Sequence, residues 1–267
     1  MDRKRLIIAL IAAFSAFFVY LTSAFFYPDV AKLKKETPKK TSFMKYTERK
    51  WKRKGIKRKI SHVWVPYSRI SPYLVKAVLI AEDDRFWRHE GFDFEAMEKA
   101  LEKNIKAKKF KAGGSTISQQ LAKNLYLSPS RTVFRKIREA ILTWRIERSL
   151  SKRRILELYL NVAEWGDGIY GIEAASRHYY GLPAGALGPE EAVRLASVLP
   201  NPKRYSPVRP SRYVDNRSRI IYNIMVRRGI VVELEEDASE EGLEGNASEE
   251  APAEAAPPAI ENIPPSD

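Results

Sequence analysis

The stretch SPYLVKAVLIAEDDRFWRHEGFD (residues 71–93) carries the reading of the fold class. Ser71-Pro72 marks a helix start, a capping residue followed by proline at the first helical position. Val75, Val78, Leu79 and Glu82 then recur at i, i+3, i+4 and i+7, one face of a helix. The stretch closes on Glu82, Asp83, Arg85, Phe86, Trp87, Arg88 and His89, a mixture that the end of a surface helix does not need. A carboxylate on an apolar stripe is desolvated, which favours its protonated form and suits general acid–base work. Glu82 is therefore a candidate catalytic group. Asp83 stands beside it, Arg85, Arg88 and His89 supply positive charge, and Phe86 and Trp87 are candidate walls. The plainer reading is a helix-terminal carboxylate paired with an arginine.

The helical period continues outward from this stretch. Phe94, Met97, Leu101 and Ile105 form a second stripe after Asp93, and Ile117, Leu121 and Leu125 a third. Further helices are predicted over about 132–150, through RRILELYLNVAEW (153–165), over PEEAVRLASVL (189–199), and over YVDNRSRIIYNIMVRR (213–228) up to Gly229, a good C-terminal cap. Strand-like alternation is confined to HVWVPY (62–67). The expected class is mainly α.

Ahead of the body, Leu6–Tyr27 is an uncharged run of 22 residues. At 1.5 Å per residue it reaches roughly 33 Å, enough to cross a bilayer core. The small residues Thr22-Ser23-Ala24 would fit a cleaved leader, but the apolar run continues through Phe25 and Phe26, which favours an anchor at 6–27 behind a short N-terminus, 1–5. A segment dense in Lys and Arg follows (28–60), then the folded body (61–230), then a tail. Residues 231–267 hold twelve acids and no base, so the net charge of +14 would be +26 without them. Such a tail cannot bury enough apolar surface to order itself. A basic body behind an anchor points to an anionic membrane surface rather than to nucleic acid. By the positive-inside rule alone, the basic segment would lie in the cytoplasm.

Two further clusters carry chemistry. In GGSTISQQLAKN (113–124), Gly113-Gly114 permits a sharp turn and Ser115 or Thr116 can cap a helix whose free amides favour an anion. Thr116, Gln120 and Asn124 stack at i, i+4, i+8, with Gln119 and Lys123 beside them. That face suits a sugar or a phosphate, although a capped helix with a polar outer side would look the same. In RTVFRKIREAI (131–141), Arg131, Arg135 and Lys136 surround Glu139. One desolvated carboxylate and one among cations is the pattern of chemistry at a glycosidic bond, while ordinary helical ion pairing is the bland alternative. There is no cysteine, which excludes thiol chemistry. His62, His89 and His178 are scattered, and no metal-site spacing occurs. SFMK and SLSK fit S-x-x-K without the partner motifs of a penicillin-binding site.

Taken in order, these stretches resemble the peptidoglycan glycosyltransferases (glycosyltransferase family 51) in their monofunctional, membrane-anchored form. AEDDRFWRHEGFD is similar to their E-D-x-x-F-x-x-H-x-G motif, GGSTISQQLAKN to G-G-S-T-[IL]-[ST]-Q-Q, and RTVFRKIREA to R-[ST]-x-x-R-K-x-x-E. RRILELYLNVAEW and the sequence after it resemble the I-L-E-x-Y-L-N region, and EEAVRLASVLPNPKRYSP the closing helix. Ser118 stands where threonine is common. The resemblance covers about 65–225. It implies a lysozyme-like, mainly helical fold with two lobes around a cleft. The implied reaction joins lipid II units through β-1,4 bonds, with inversion and loss of undecaprenyl pyrophosphate. It also implies that Glu82 is the base on the acceptor hydroxyl and that Glu139 supports the donor pyrophosphate region. Asp83, Phe86, His89, Thr116, Gln119, Gln120, Lys123, Asn124, Arg131, Arg135 and Lys136 are the implied substrate-binding residues. No tightly bound cofactor is implied, only a divalent cation, Mg or Mn, assisting the diphosphate. Partners would be lipid II, the growing glycan and other cell-wall proteins. The body would lie outside the inner membrane, against the simple charge count. A lytic transglycosylase and a non-enzymatic, membrane-tethered glycan- or nucleic-acid-binding module are the competing readings.

Overall fold

The computed structural model describes residues 3–107, 113–130 and 132–231. Arg131 and, beyond Val231, the acidic tail lie outside the described residues. Ten α-helices run among those residues: α1 (Arg3–Thr22), α2 (Ser42–Arg53), α3 (Pro72–Glu82), α4 (Phe94–Lys106), α5 (Ile117–Tyr126), α6 (Val133–Ser149), α7 (Lys152–Val162), α8 (Ile172–Tyr180), α9 (Pro189–Val198) and α10 (Arg212–Arg227). Three short strands, β1 (Ser61–His62), β2 (Glu164–Gly166) and β3 (Ile169–Tyr170), form one sheet in the order β1-β3-β2. β1 runs parallel and β2 antiparallel to β3. The fold is mainly α, as expected.

Local signals explain most helix starts. Asp93, Thr116, Thr132, Ser151 and Ser211 each accept a hydrogen bond from a backbone N–H in the first turn of the helix that follows, a contribution of about 1 kcal/mol apiece. Gly229, at φ +64°, closes α10. Ser71 holds the capping position of α3, but its hydroxyl donates to the Leu187 carbonyl at 2.7 Å instead. α3 buries Leu74, Val75, Ala77, Val78 and Leu79 and packs on α9 and α10. α5 packs on both α6 and α7. The two helical groups share one continuous core, and the end of α3 meets the start of α5.

Several expectations change. Strand pairing over 62–67 stops after His62. The Val65 N–H donates to Asn161 Oδ1 at 2.8 Å, and Asn161 Nδ2 donates back to the Val65 carbonyl at 2.8 Å. A side-chain amide replaces a neighbouring strand, and Pro66 has no N–H with which to extend the ladder. The helix expected through Trp165 ends at Val162.

The folded body also begins before residue 61. Val30, Leu33, Met44 and Trp51 are buried, and α2 packs on α5. Met44, Thr47 and Trp51 fall at i, i+3 and i+7 on one face, a stripe hidden among lysines and arginines. The Trp51 ring lies against Gly168, where an added Cβ would come within 2.1 Å of it.

The stripe on α4 turns outward rather than into the core. Phe94, Leu101 and Ile105 are 74, 60 and 67 % exposed. α1 is long and apolar enough to cross a membrane. Where it meets the body, the Phe17 and Phe134 rings are 4.5 Å apart, and Arg145 Nη1 donates to the Ala24 carbonyl at 2.9 Å.

Candidate active site

Two consecutive acids at the end of α3 point to different tasks. Asp83, just past the helix, is buried. Its Oδ2 accepts from the Ile117 N–H at 2.9 Å, tying α3 to the first residue of α5. Its Oδ1 lies 2.8 Å from His89 Nε2. Because His89 Nδ1 accepts from the Gly91 N–H at 3.1 Å, the ring proton sits on Nε2 and is donated to Asp83.

Thr116 and Gln119 complete the same joint. The Thr116 hydroxyl donates to the Gly91 carbonyl at 2.7 Å, and the Gln119 side chain accepts from the Thr116 N–H at 3.0 Å. Gly114 lets the loop lie against α4, since a Cβ there would sit 2.9 Å from the Met97 backbone.

Asp83, His89, Thr116 and Gln119, expected at a ligand, thus also hold this joint together, because helix-start amides and buried polar atoms demand partners. Phe86 is fully buried in the core, and Asn124 is buried on α5. Arg85 pairs with Asp93 and Glu95 instead of supplying charge to Glu82. Replacing Asp83 with alanine should cost about 1–3 kcal/mol, the loss for a buried donor left unmatched. Urea unfolding reads this directly, and a midpoint unchanged from the parent would make the joint dispensable.

Glu82, by contrast, presents its carboxylate to a partly open space, with 11 % of the side chain exposed. Gln120 Nε2 donates to its Oε2 at 2.8 Å. Arg217 Nη2 lies 3.4 Å from its Oε1 and donates to the Ala81 carbonyl at 2.9 Å. Burial pushes the Glu82 carboxyl above the ordinary carboxylate range, more than Gln120, Arg217 and Lys123 pull it down, and Asp83 adds to the rise. One flank is a cavity of about 300 Å³ bounded by Glu82, Asp84, Arg85, Glu95, Lys99 and Ser115, among others.

The second carboxylate, Glu139 on α6, is 2 % exposed. It accepts from Arg135 Nη1 and from Lys136 Nζ. Lys136 Nζ also lies 3.3 Å from Ser115 Oγ on the loop before α5. Lys123 interacts electrostatically with both Glu82 and Glu139, and burial depresses its ammonium pKa, reinforced by Arg135 and Lys136. The structure therefore gathers Glu82, Gln120, Lys123, Glu139, Arg135 and Lys136, with Ser115 at the edge.

Arg217 was absent from the sequence-based set. Its signal was available: it falls at i+3 in the buried series Val214, Ser218, Ile221 and Met225 of α10, where a cation needs an anionic partner. Such a site can take a proton at Glu82 and meet negative charge at the Arg135–Lys136–Lys123 group.

Comparison with known proteins gives the family. The transglycosylase family model matches residues 49–226. The chain is 53 % identical over 197 residues to a biosynthetic peptidoglycan transglycosylase of Azoarcus sp. (strain BH72), covering 74 % of this chain and 84 % of that protein. It is 55 % identical over 162 residues to the protein of the same name from Methylobacillus flagellatus, covering 61 % and 71 %. A third, from Janthinobacterium sp. (strain Marseille), is 46 % identical over 207 residues, covering 78 % and 90 %.

Proposed function

The chain belongs to the transglycosylase family, and from that premise we propose that Glu82 is the base of a peptidoglycan glycosyltransferase acting on a lipid-linked donor. The enzyme polymerises glycan in bacterial cell-wall synthesis. The acceptor hydroxyl gives its proton to Glu82 while its oxygen forms a bond to the donor's anomeric carbon. The bond from that carbon to the diphosphate oxygen breaks, and its electron pair leaves with the undecaprenyl diphosphate. Lys123, Arg135 and Lys136 meet the departing charge. Arg135 Nε is buried without a hydrogen-bond partner among the described residues, and a phosphate oxygen would satisfy it. A Mg or Mn ion bound with the diphosphate would offset part of its departing charge.

The carrying observation is the Glu82 carboxylate itself, desolvated, partly open and held by two donors. Incubation of the full chain with lipid II in vesicles tests the reading. Glycan polymer is expected; release of fragments from preformed glycan, with lipid II untouched, would identify a lytic enzyme instead.

On this reading the body lies on the outer face of the cytoplasmic membrane, anchored by α1, with the growing glycan and other cell-wall proteins as partners; the length and apolar character of α1 support the anchor. The outward apolar stripe of α4 is assigned to the bilayer surface, where an exposed row of apolar side chains on one helix face is favoured. The parent chain has no cysteine, so an environment-sensitive dye on Leu101→Cys reports this site alone. Nitroxide lipids should quench it in vesicles; quenching only by aqueous iodide would leave α4 in solvent.

A further inference from the structure

Tyr159 lies on α7 and is 1 % exposed. Its hydroxyl donates to Gln120 Oε1 at 3.2 Å. The opposite end of the same amide, Nε2, donates to Glu82 Oε2 at 2.8 Å. Three elements, α7, α5 and α3, are thus linked by one directional chain of hydrogen bonds. A glutamine amide can turn over and offer either its NH2 or its carbonyl. NH2 facing Glu82 favours the carboxylate; the carbonyl facing Glu82 favours the acid.

We propose that Tyr159 is a positioning residue for the transfer reaction, holding the Gln120 amide in the orientation that presents NH2 to Glu82. The inference rests on Glu82 being the base. Burial keeps the Tyr159 phenol protonated, well above its ordinary range, and the Glu82 and Asp83 charges add to this. The hydroxyl therefore always has a proton to give, and the carbonyl end of Gln120 is where it can go. The charged groups facing Glu82 are Arg217 from α10, Lys123 from α5 and the neighbouring Asp83. None of them touches the Gln120 carbonyl end among the hydrogen bonds of the described residues, so the orientation of the amide depends on Tyr159.

Tyr159→Phe keeps the ring and removes only the donor. The amide is then free to turn, and Glu82 holds its proton to higher pH. The acidic limb of kcat/KM for lipid II should move up by about one pH unit, a tenfold change in protonation equilibrium, with activity recovering at higher pH. A purely packing role would lower activity or the unfolding midpoint at all pH values without moving the limb. In a Gln120→Leu background, Tyr159→Phe should produce no additional shift. An equal shift there would overturn the proposal, because Tyr159 would then act without Gln120. Carboxyl 13C NMR titration of Glu82, without substrate, separates the two levels of inference. A raised midpoint in Tyr159→Phe supports the positioning role whether or not Glu82 proves to be the base, and an unchanged midpoint with a folded variant overturns it.

Discussion

Glu82→Gln is expected to reduce glycan polymerisation by about 100-fold or more, the usual contribution of a positioned general base. The amide is nearly isosteric, its one oxygen can still accept from either Gln120 or Arg217, and Arg217 keeps the Ala81 carbonyl, so the fold should persist. Stability should move in the opposite direction to activity. Burial raises the folded-state pKa of Glu82 above its ordinary value. Such a group contributes stability below the unfolded pKa and loses that contribution as pH rises through the folded pKa. At neutral pH the parent therefore bears the cost of a desolvated carboxylate, which the variant lacks. Glu82→Gln should unfold at the same or a higher temperature near neutrality, and the difference should vanish on acidification below the ordinary carboxylate range. Near-normal turnover by the folded variant would remove Glu82 from the chemistry. The same raised pKa places the acidic limb of wild-type activity above the range of an exposed glutamate.

Arg135→Ala should weaken binding of a lipid diphosphate by roughly 10- to 100-fold, as expected for one lost charge-assisted hydrogen bond of about 1.5–3 kcal/mol. Binding of a glycan fragment without phosphate should change little. The control is Arg135→Lys. It retains a cation beside the buried Glu139 but loses the guanidinium fork, so it separates diphosphate recognition from the cost of leaving Glu139 undercompensated. Equal losses for both ligands, in a variant that still unfolds cooperatively, would place Arg135 in the architecture alone.

The opening stretch of sequence shows why some readings transferred and others did not. The place of Glu82 on α3 was legible because periodicity is local: position i+7 falls on the same face as Val75, Val78 and Leu79. The ion pairs of Glu139 were legible for the same reason, since Arg135 and Lys136 lie within one helical turn of it. The structural partners of Asp83, His89, Thr116 and Gln119 were not legible, because a polar side chain looks alike in sequence whether it serves a ligand or a helix end. Only the meeting of α3 with α5 supplied the Ile117 N–H and the Gly91 carbonyl that claim them.

Segment 28–60 misled through composition, its lysines and arginines concealing Met44, Thr47 and Trp51 on one face. The stripe of α4 misled in the other direction: apolar period identifies a face and says nothing of what covers it.

By itself, then, the sequence determined the helical class, most helix starts through their caps, the apolar N-terminal helix and the ion pairs that Glu139 makes within its own helix. These rest on interactions within a few residues along the chain. Tertiary structure alone decided which donors hold Glu82. Gln120 is 38 residues away, Arg217 is 135 away, and Tyr159 stands 39 beyond Gln120. A hydrogen bond needs its two atoms within about 3 Å and in line, and for residues so far apart only the meeting of α3 with α5 and α10, and the packing of α5 on α7, can bring that about.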